Sequence, residues 1–155
     1  MGDAVKIILF PWAKKLRNGG HNPKNYPWWP ELVLKLQALG HELIQVGVDG
    51  EEQLVPDFRK SLSILDLSDL MRNSDTWIGV DSFGQHLGWD LGIRGIAIFG
   101  QSDPVIFGHE ENINVLKSRE FLRAQQFWWW EQAEYRADVF VDPDEIVKIL
   151  QENFK

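Results

Sequence analysis

Short apolar runs, four to six residues each and rich in β-branched side chains, recur along this 155-residue chain and restrict its fold more than any other feature. They are Val5 to Phe10 (VKIILF), Leu43 to Gly47 (LIQVG), Trp77 to Val80 (WIGV), Gly95 to Phe99 (GIAIF) and, as a candidate fifth, Ile113 to Leu116 (INVL). A strand with one wet face alternates polar and apolar residues. These runs mostly do not alternate, which fits strands of a parallel sheet covered on both faces.

Helical patterns lie between them. Trp29 to Leu39 places Leu32, Leu36 and Leu39 at helical spacing, and Gly40 supplies a stop. Asp66 to Asn73 turns Leu67, Leu70 and Met71 inward. Phe83 to Leu91 follows the third strand and ends at Gly92. Pro143 to Phe154 closes the chain, with Asp142 as N-cap and Ile146, Ile149 and Leu150 on one face. Strand and helix alternate with short joins. The expected fold is α/β: a Rossmann-like doubly wound parallel sheet, in a single domain over residues 1–155. The exception to the short joins is the loop Pro11 to Pro27, and long loops in compact domains commonly carry function.

Several classes are excluded or disfavoured. There is no cysteine, so disulfides and thiolate metal sites are ruled out. No apolar stretch is long enough to span a bilayer, and the N-terminus lacks the features of a secretory signal, so a cytoplasmic location is expected. A net charge of −7 disfavours general binding of nucleic acid or anionic membrane. The charge is uneven, however. No acid lies between Asp3 and Glu31, where Lys6, Lys14, Lys15, Arg17, His21 and Lys24 cluster. This local basic loop is either a solvated surface or the seat of a small anionic ligand.

Ligands of open parallel sheets bind beyond the carboxyl ends of the strands. After the third strand comes Asp81-Ser82-Phe83-Gly84-Gln85-His86. Ser82 suits a helix cap, Gly84 permits close approach, and His86 lies on the first turn. A helix start offers free N–H groups and the positive end of the dipole, which favour phosphate over a cap alone when glycine and histidine sit at these offsets. Lys24, in Lys24-Asn25-Tyr26-Pro27, is placed to neutralise a diphosphate. After the second strand, Gly47-Val48-Asp49-Gly50-Glu51-Glu52 is either a capped turn or a site where Gly47 and Glu51 meet a ribose. After the fourth strand, Phe99-Gly100-Gln101-Ser102-Asp103-Pro104 reads first as a turn. Asp142-Pro143-Asp144 reads as a helix cap rather than a metal motif. The four histidines show no metal-ligand spacing, and no GxGxxG, P-loop or Gly-x-Ser-x-Gly occurs. Trp128, Trp129 and Trp130 cannot all face one core; they either shield a sheet edge or cover a partner surface.

Together these loops resemble the C-terminal domain of the heptosyltransferase-like family 9 glycosyltransferases, which have the two-domain GT-B fold. The family's Lys-x-Trp-Pro element corresponds to Lys24 to Pro27, and its Gly-rich acidic turn to Gly47 to Glu52. Its Ser-Leu-x-(Asp/Glu)-Leu segment corresponds to Ser63 to Leu67. Its Asp-(Ser/Thr)-Gly-x-x-His corresponds to Asp81 to His86, and its Phe-Gly-x-(Ser/Thr)-Asp-Pro to Phe99 to Pro104. Order and spacing agree over roughly residues 5–116, and the last helix is similar too.

The resemblance implies a site for a nucleotide-diphosphate sugar, with Lys24, Asp81, Ser82, Gly84 and His86 at the diphosphate and Gly47 and Glu51 near the nucleoside. It implies inverting glycosyl transfer with no DxD metal and no cofactor. The chain departs from the pattern in three places. Glycine follows Phe83 instead of Ser82, Tyr26 replaces tryptophan, and Asn18 to His21 is extra. The family's acceptor-binding domain, which supplies the catalytic base, has no counterpart in these residues, so no base is assigned. Transfer is expected to need a protein partner or a homo-oligomer. The alternative is a non-catalytic interaction module that keeps the Rossmann-like fold.

Overall fold

A computed structural model describes residues 3–154. Six parallel strands form one sheet: β1 (Lys6–Phe10), β2 (Glu42–Gly47), β3 (Phe58–Lys60), β4 (Thr76–Val80), β5 (Ile96–Phe99) and β6 (Ile113–Leu116). Their spatial order is β3-β2-β1-β4-β5-β6. The helices are α1 (Trp29–Ala38), α2 (Ile64–Arg72), α3 (Phe83–Asp90), the short α4 (Pro104–Phe107) and α5 (Pro143–Asn153). This is the Rossmann-like α/β arrangement expected.

The lack of alternation along β1 has a direct cause. Ile7 and Leu9 face one core, with Trp29, Leu32 and Leu36 of α1 and Ile146 and Leu150 of α5. Ile8 and Phe10 face the other, with Leu67, Leu70 and Met71 of α2 and Leu87 of α3. Both faces are therefore dry, and every position from Ile7 to Phe10 is stabilised by burial. Trp77 on β4 is fully buried between Gly88 and Gly95, where a Cβ would come within 2.3 and 2.2 Å of its indole. Its Nε1 donates to the Ile93 carbonyl at 2.8 Å. The two glycines let α3 and the start of β5 close on the ring.

Some boundaries differ from the expectation. β1 begins at Lys6 and β5 at Ile96, whereas β2 begins one residue earlier, at Glu42. α2 starts at Ile64, because Ser63 accepts the Asp66 N–H as N-cap. Leu39 lies past the end of α1 and is exposed. β3 was not expected: Phe58-Arg59-Lys60 is a three-residue edge strand with two charged side chains, so it carries no apolar signal. α4 arises where only a turn was expected. The stretch from β6 to α5 contains three single 3-10 turns, Arg119–Phe121, Trp130–Gln132 and Ala137–Val139.

Strand order reverses between β1 and β4. The two strands stay paired to their carboxyl ends, Phe10 beside Gly79, and the loops that follow them leave a crevice beyond the sheet rim.

Candidate functional site

That crevice holds a cavity of about 430 Å³ with two chemically different ends. One end is polar and cationic, lined by Lys14, Asn22, Lys24, Asp81 and Ser82. The other is apolar, lined by Val46, Val48, Leu62, Ile64 and Leu67, with Phe10 on its floor.

The loop from β1 to α1 places Lys24, and asparagines hold that loop. Asn25 Oδ1 accepts the Ala13 N–H at 2.7 Å. Asn22 Nδ2 donates to the Lys14 carbonyl at 2.9 Å, and its Oδ1 accepts the Lys24 N–H at 3.0 Å. Tyr26 anchors the loop's end: its ring is buried against Trp28, Trp29 and Phe140, and its hydroxyl donates to the Val141 carbonyl. Burial pushes the Tyr26 phenol far above its ordinary range, so it stays a neutral donor. The Tyr135 hydroxyl, pushed up to about 12 by burial, donates to the Asn25 carbonyl.

The Lys24 ammonium lies 3.2 Å from Asp81 Oδ2. Asp81 is buried, and that oxygen meets the ammonium without the alignment of a hydrogen bond. Its Oδ1 accepts from Gln85 Nε2 at 2.6 Å. The ammonium also stands 5.1 Å from the Trp130 ring and 5.8 Å from that of Phe107. A cation held this way, partly desolvated and beside one carboxylate, keeps donors free for an incoming anion.

Ser82 sits at the N-cap of α3, but its side chain makes no capping bond. This corrects the expected cap: the hydroxyl and the first-turn N–H groups remain available at the cavity edge. Gly84 lines the cavity, yet its small size serves packing. A Cβ there would fall 2.3 Å from the Phe10 ring. Glu51 folds back so that Oε1 accepts the Val48 N–H at 2.8 Å, and a Cβ on Gly47 would meet that same oxygen at 2.2 Å. The acidic turn is therefore capped by its own glutamate, which still lines the cavity.

His86 is not among the cavity-lining residues. Its Nδ1 lies 2.7 Å from His109 Nε2, and Trp89 stacks on His109 at 4.4 Å. Burial, then the neighbouring His109, holds its pKa below the ordinary value. Lys24, Asp81, Ser82, Gly84, Gly47 and Glu51 are thus brought to one cavity, whereas His86 is held by His109 beside it and does not line it.

Other expectations resolve structurally. Asp103 caps α4 through the Val105 N–H and takes a bidentate pair from Arg119 at 3.0 and 2.8 Å, which holds its carboxyl below the usual range. Asp142 caps α5 through the Glu145 N–H, and Asp144 pairs with Lys35 at 2.8 Å. The sequence singles out Lys14 only as one of the basic cluster and gives no sign of Trp12 or Ser61, yet all three line the cavity. Ser61 has φ 52°, a left-handed conformation that ordinarily favours glycine and here turns the chain from β3 over the apolar end. No sequence signal marked it, because β3 itself was not recognised.

No protein-family model matches the sequence, and no curated protein matches it either. Solved structures do. The heptosyltransferase TibC, a dodecameric iron-containing enzyme crystallised with ADP-D-beta-D-heptose, matches with TM-score 0.59 and 16% identity over 94% of this chain and 37% of that one. A family 9 glycosyl transferase from Veillonella parvula matches with TM-score 0.67 and 15% identity, over 92% and 44%. The E. coli ADP-heptose LPS heptosyltransferase II matches with TM-score 0.62 and 13% identity, over 98% and 48%. The chain spans less than half the length of these structures. The likeness is one of fold.

Proposed function

We propose that this chain is a nucleotide-diphosphate-sugar-binding domain of the heptosyltransferase-like type, corresponding to the C-terminal half of a GT-B glycosyltransferase and acting in the cytoplasm. The observation that carries the reading is the two-ended cavity at the strand-order switch. A partly desolvated lysine and an uncapped helix start stand at one end, and an apolar wall stands at the other. A nucleoside diphosphate has the same two-part chemistry: an apolar base and a doubly charged linker. One structure of similar fold was crystallised with such a ligand, ADP-D-beta-D-heptose.

In this reading Lys24, the Ser82 hydroxyl and the first-turn amides of α3 hold the diphosphate, with Asp81 positioning Lys24. Glu51 and Gly47 border the ribose. The base lies toward Val46, Leu62 and Leu67. Charge grows on the departing diphosphate as the glycosidic bond breaks. Donors that meet it more strongly at that stage lower the barrier. The acceptor-binding site and the catalytic base come from a further domain, a protein partner or a second copy.

Calorimetric titration with ADP-, UDP-, GDP- and CMP-sugars at millimolar concentration tests this. Saturable heat is expected with at least one nucleotide-diphosphate sugar. Silence from all of them would sink the proposal.

A further inference from the structure

The stretch between β6 and α5 crosses the sheet rim and leaves three large aromatic residues in solvent. Phe127 is 78% exposed, Trp128 56% and Trp129 58%. Exposed aromatic clusters of this size mark binding surfaces. Trp128 and Gln132 are shared by two adjoining hollows, one of about 400 Å³ and one of about 350 Å³. Arg123 forms one wall of the larger. Its Nε donates to the Gln125 carbonyl at 2.7 Å, its Nη2 donates to the Trp128 carbonyl, and its guanidinium lies 4.0 Å over the Trp130 ring. Its Nη1 is buried beneath the hollow's surface, without an acceptor. Gln125 and Gln132 are exposed in the same hollow, where their amides each offer two donors and an acceptor.

The mixture selects the ligand. An apolar protein surface laid here would strip water from the exposed Gln125 and Gln132 amides without replacing those hydrogen bonds. Nucleic acid would meet a chain of net charge −7. A sugar ring presents a C–H face that packs on an indole, and hydroxyls at its edge that pair with planar amides. Aromatic walls with a few convergent polar groups are the usual make-up of small-molecule sites. We propose that the hollow formed by Trp128, Gln132, Gln125 and Arg123 is a saccharide-binding subsite. Its lining shares no residue with that of the nucleotide cavity, and the Trp130 ring is within cation–π reach of both, 5.1 Å from Lys24 and 4.0 Å from Arg123.

The test is independent of nucleotide binding. Tryptophan fluorescence of the intact protein is titrated with hexasaccharides of glucose, mannose, galactose and N-acetylglucosamine, with no nucleotide present. A saturable change is expected with at least one of them. It should weaken about tenfold or more in Trp128→Ala and in Gln132→Ala, and stay within about twofold in Lys24→Ala. The three variants are surface or cavity-edge changes, and circular dichroism checks that each folds. No response to any hexasaccharide overturns the inference. So does a response that survives in both Trp128→Ala and Gln132→Ala, or one abolished by Lys24→Ala, which places the sugar in the nucleotide cavity. Self-association by light scattering that disappears in Trp128→Ala, without saccharide binding, assigns the surface to a second copy and also overturns it. A protein that binds saccharide here but no nucleotide sugar refutes the proposed function alone.

Discussion

The Phe10 ring fills the space that a Cβ on Gly84 would need, with its nearest atom 2.3 Å from that position. β1 ends and α3 begins against each other at this point, so the floor of the cavity and the helix start above it are set by one contact. Replacing Gly84 by alanine gains helix propensity of about 1 kcal/mol but forces the helix off the ring, at about 1–3 kcal/mol of overpacking. A net loss of stability is expected, together with weaker ligand binding. Thermal denaturation checks the first and calorimetry the second. An alanine variant as stable as the parent would mean that the helix start moves freely.

Lys24 and Asp81 form a competing pair at the anion end. Lys24→Ala removes one or two charge-assisted contacts and should weaken nucleotide-sugar affinity by about tenfold or more. Asp81→Asn removes the opposing charge 3.2 Å away and should strengthen diphosphate affinity, with the gain shrinking as salt is added. Titrations with ADP and UDP at two ionic strengths check both. Tighter binding in Lys24→Ala would contradict the assignment.

His86 gives the contrasting result. Its ring is bonded to His109 and stands off the cavity lining. His86→Ala should therefore leave nucleotide-sugar affinity within about twofold of the parent, against the tenfold or greater loss expected for Lys24→Ala. A loss as large as that of Lys24→Ala would place a ligand group on the histidine pair.

Acid should destabilise the fold through His41. Its Nδ1 accepts the Val5 N–H at 3.0 Å, and burial holds its pKa below the ordinary 6.5. A histidine with a depressed folded-state pKa binds fewer protons folded than unfolded. Its contribution is complete above pH 6.5 and is lost as pH falls through that value toward the folded pKa. His86 adds the same sign, from burial and from His109 beside it. Melting temperature should fall between about pH 6.5 and 5, and His41→Gln, which keeps an acceptor but does not titrate, should flatten that slope. An unchanged slope would assign the acid sensitivity elsewhere.

Asp103 secures the rim segment. It caps α4 and holds Arg119 in a bidentate pair. Asp103→Ala should cost about 1–2 kcal/mol, mostly from the lost cap, because Arg119 is largely exposed and solvent screens the pair. Proteolysis should become faster between residues 117 and 142, which mass spectrometry of the fragments would locate. Cleavage unchanged in rate and position would show that the segment is held by its other contacts.

How much could be read beforehand followed the physics of each element. Buried strands such as Lys6–Phe10 and Thr76–Val80 announce themselves because both faces need apolar residues. Phe58–Lys60, an edge strand with exposed charges, does not. Lys24 was set apart from the other lysines of the acid-free window by the Lys24 to Pro27 element that resembles the family motif. The roles of Ser61, Lys14 and Trp12 were not legible, since their places depend on loops folding back over the rim.

Local chemistry written in the chain was enough to determine the parallel α/β sheet, its main helices and caps, and the convergence of six candidate residues at one rim, because periodicity and turn residues act over a few positions. Only the tertiary structure decided which way side chains point. His86 pairs with His109, Gly84 yields to Phe10, and Trp130 comes to rest beside Lys24. These are contacts between residues 23, 74 and 106 positions apart, and no local pattern records a neighbour brought in by the fold.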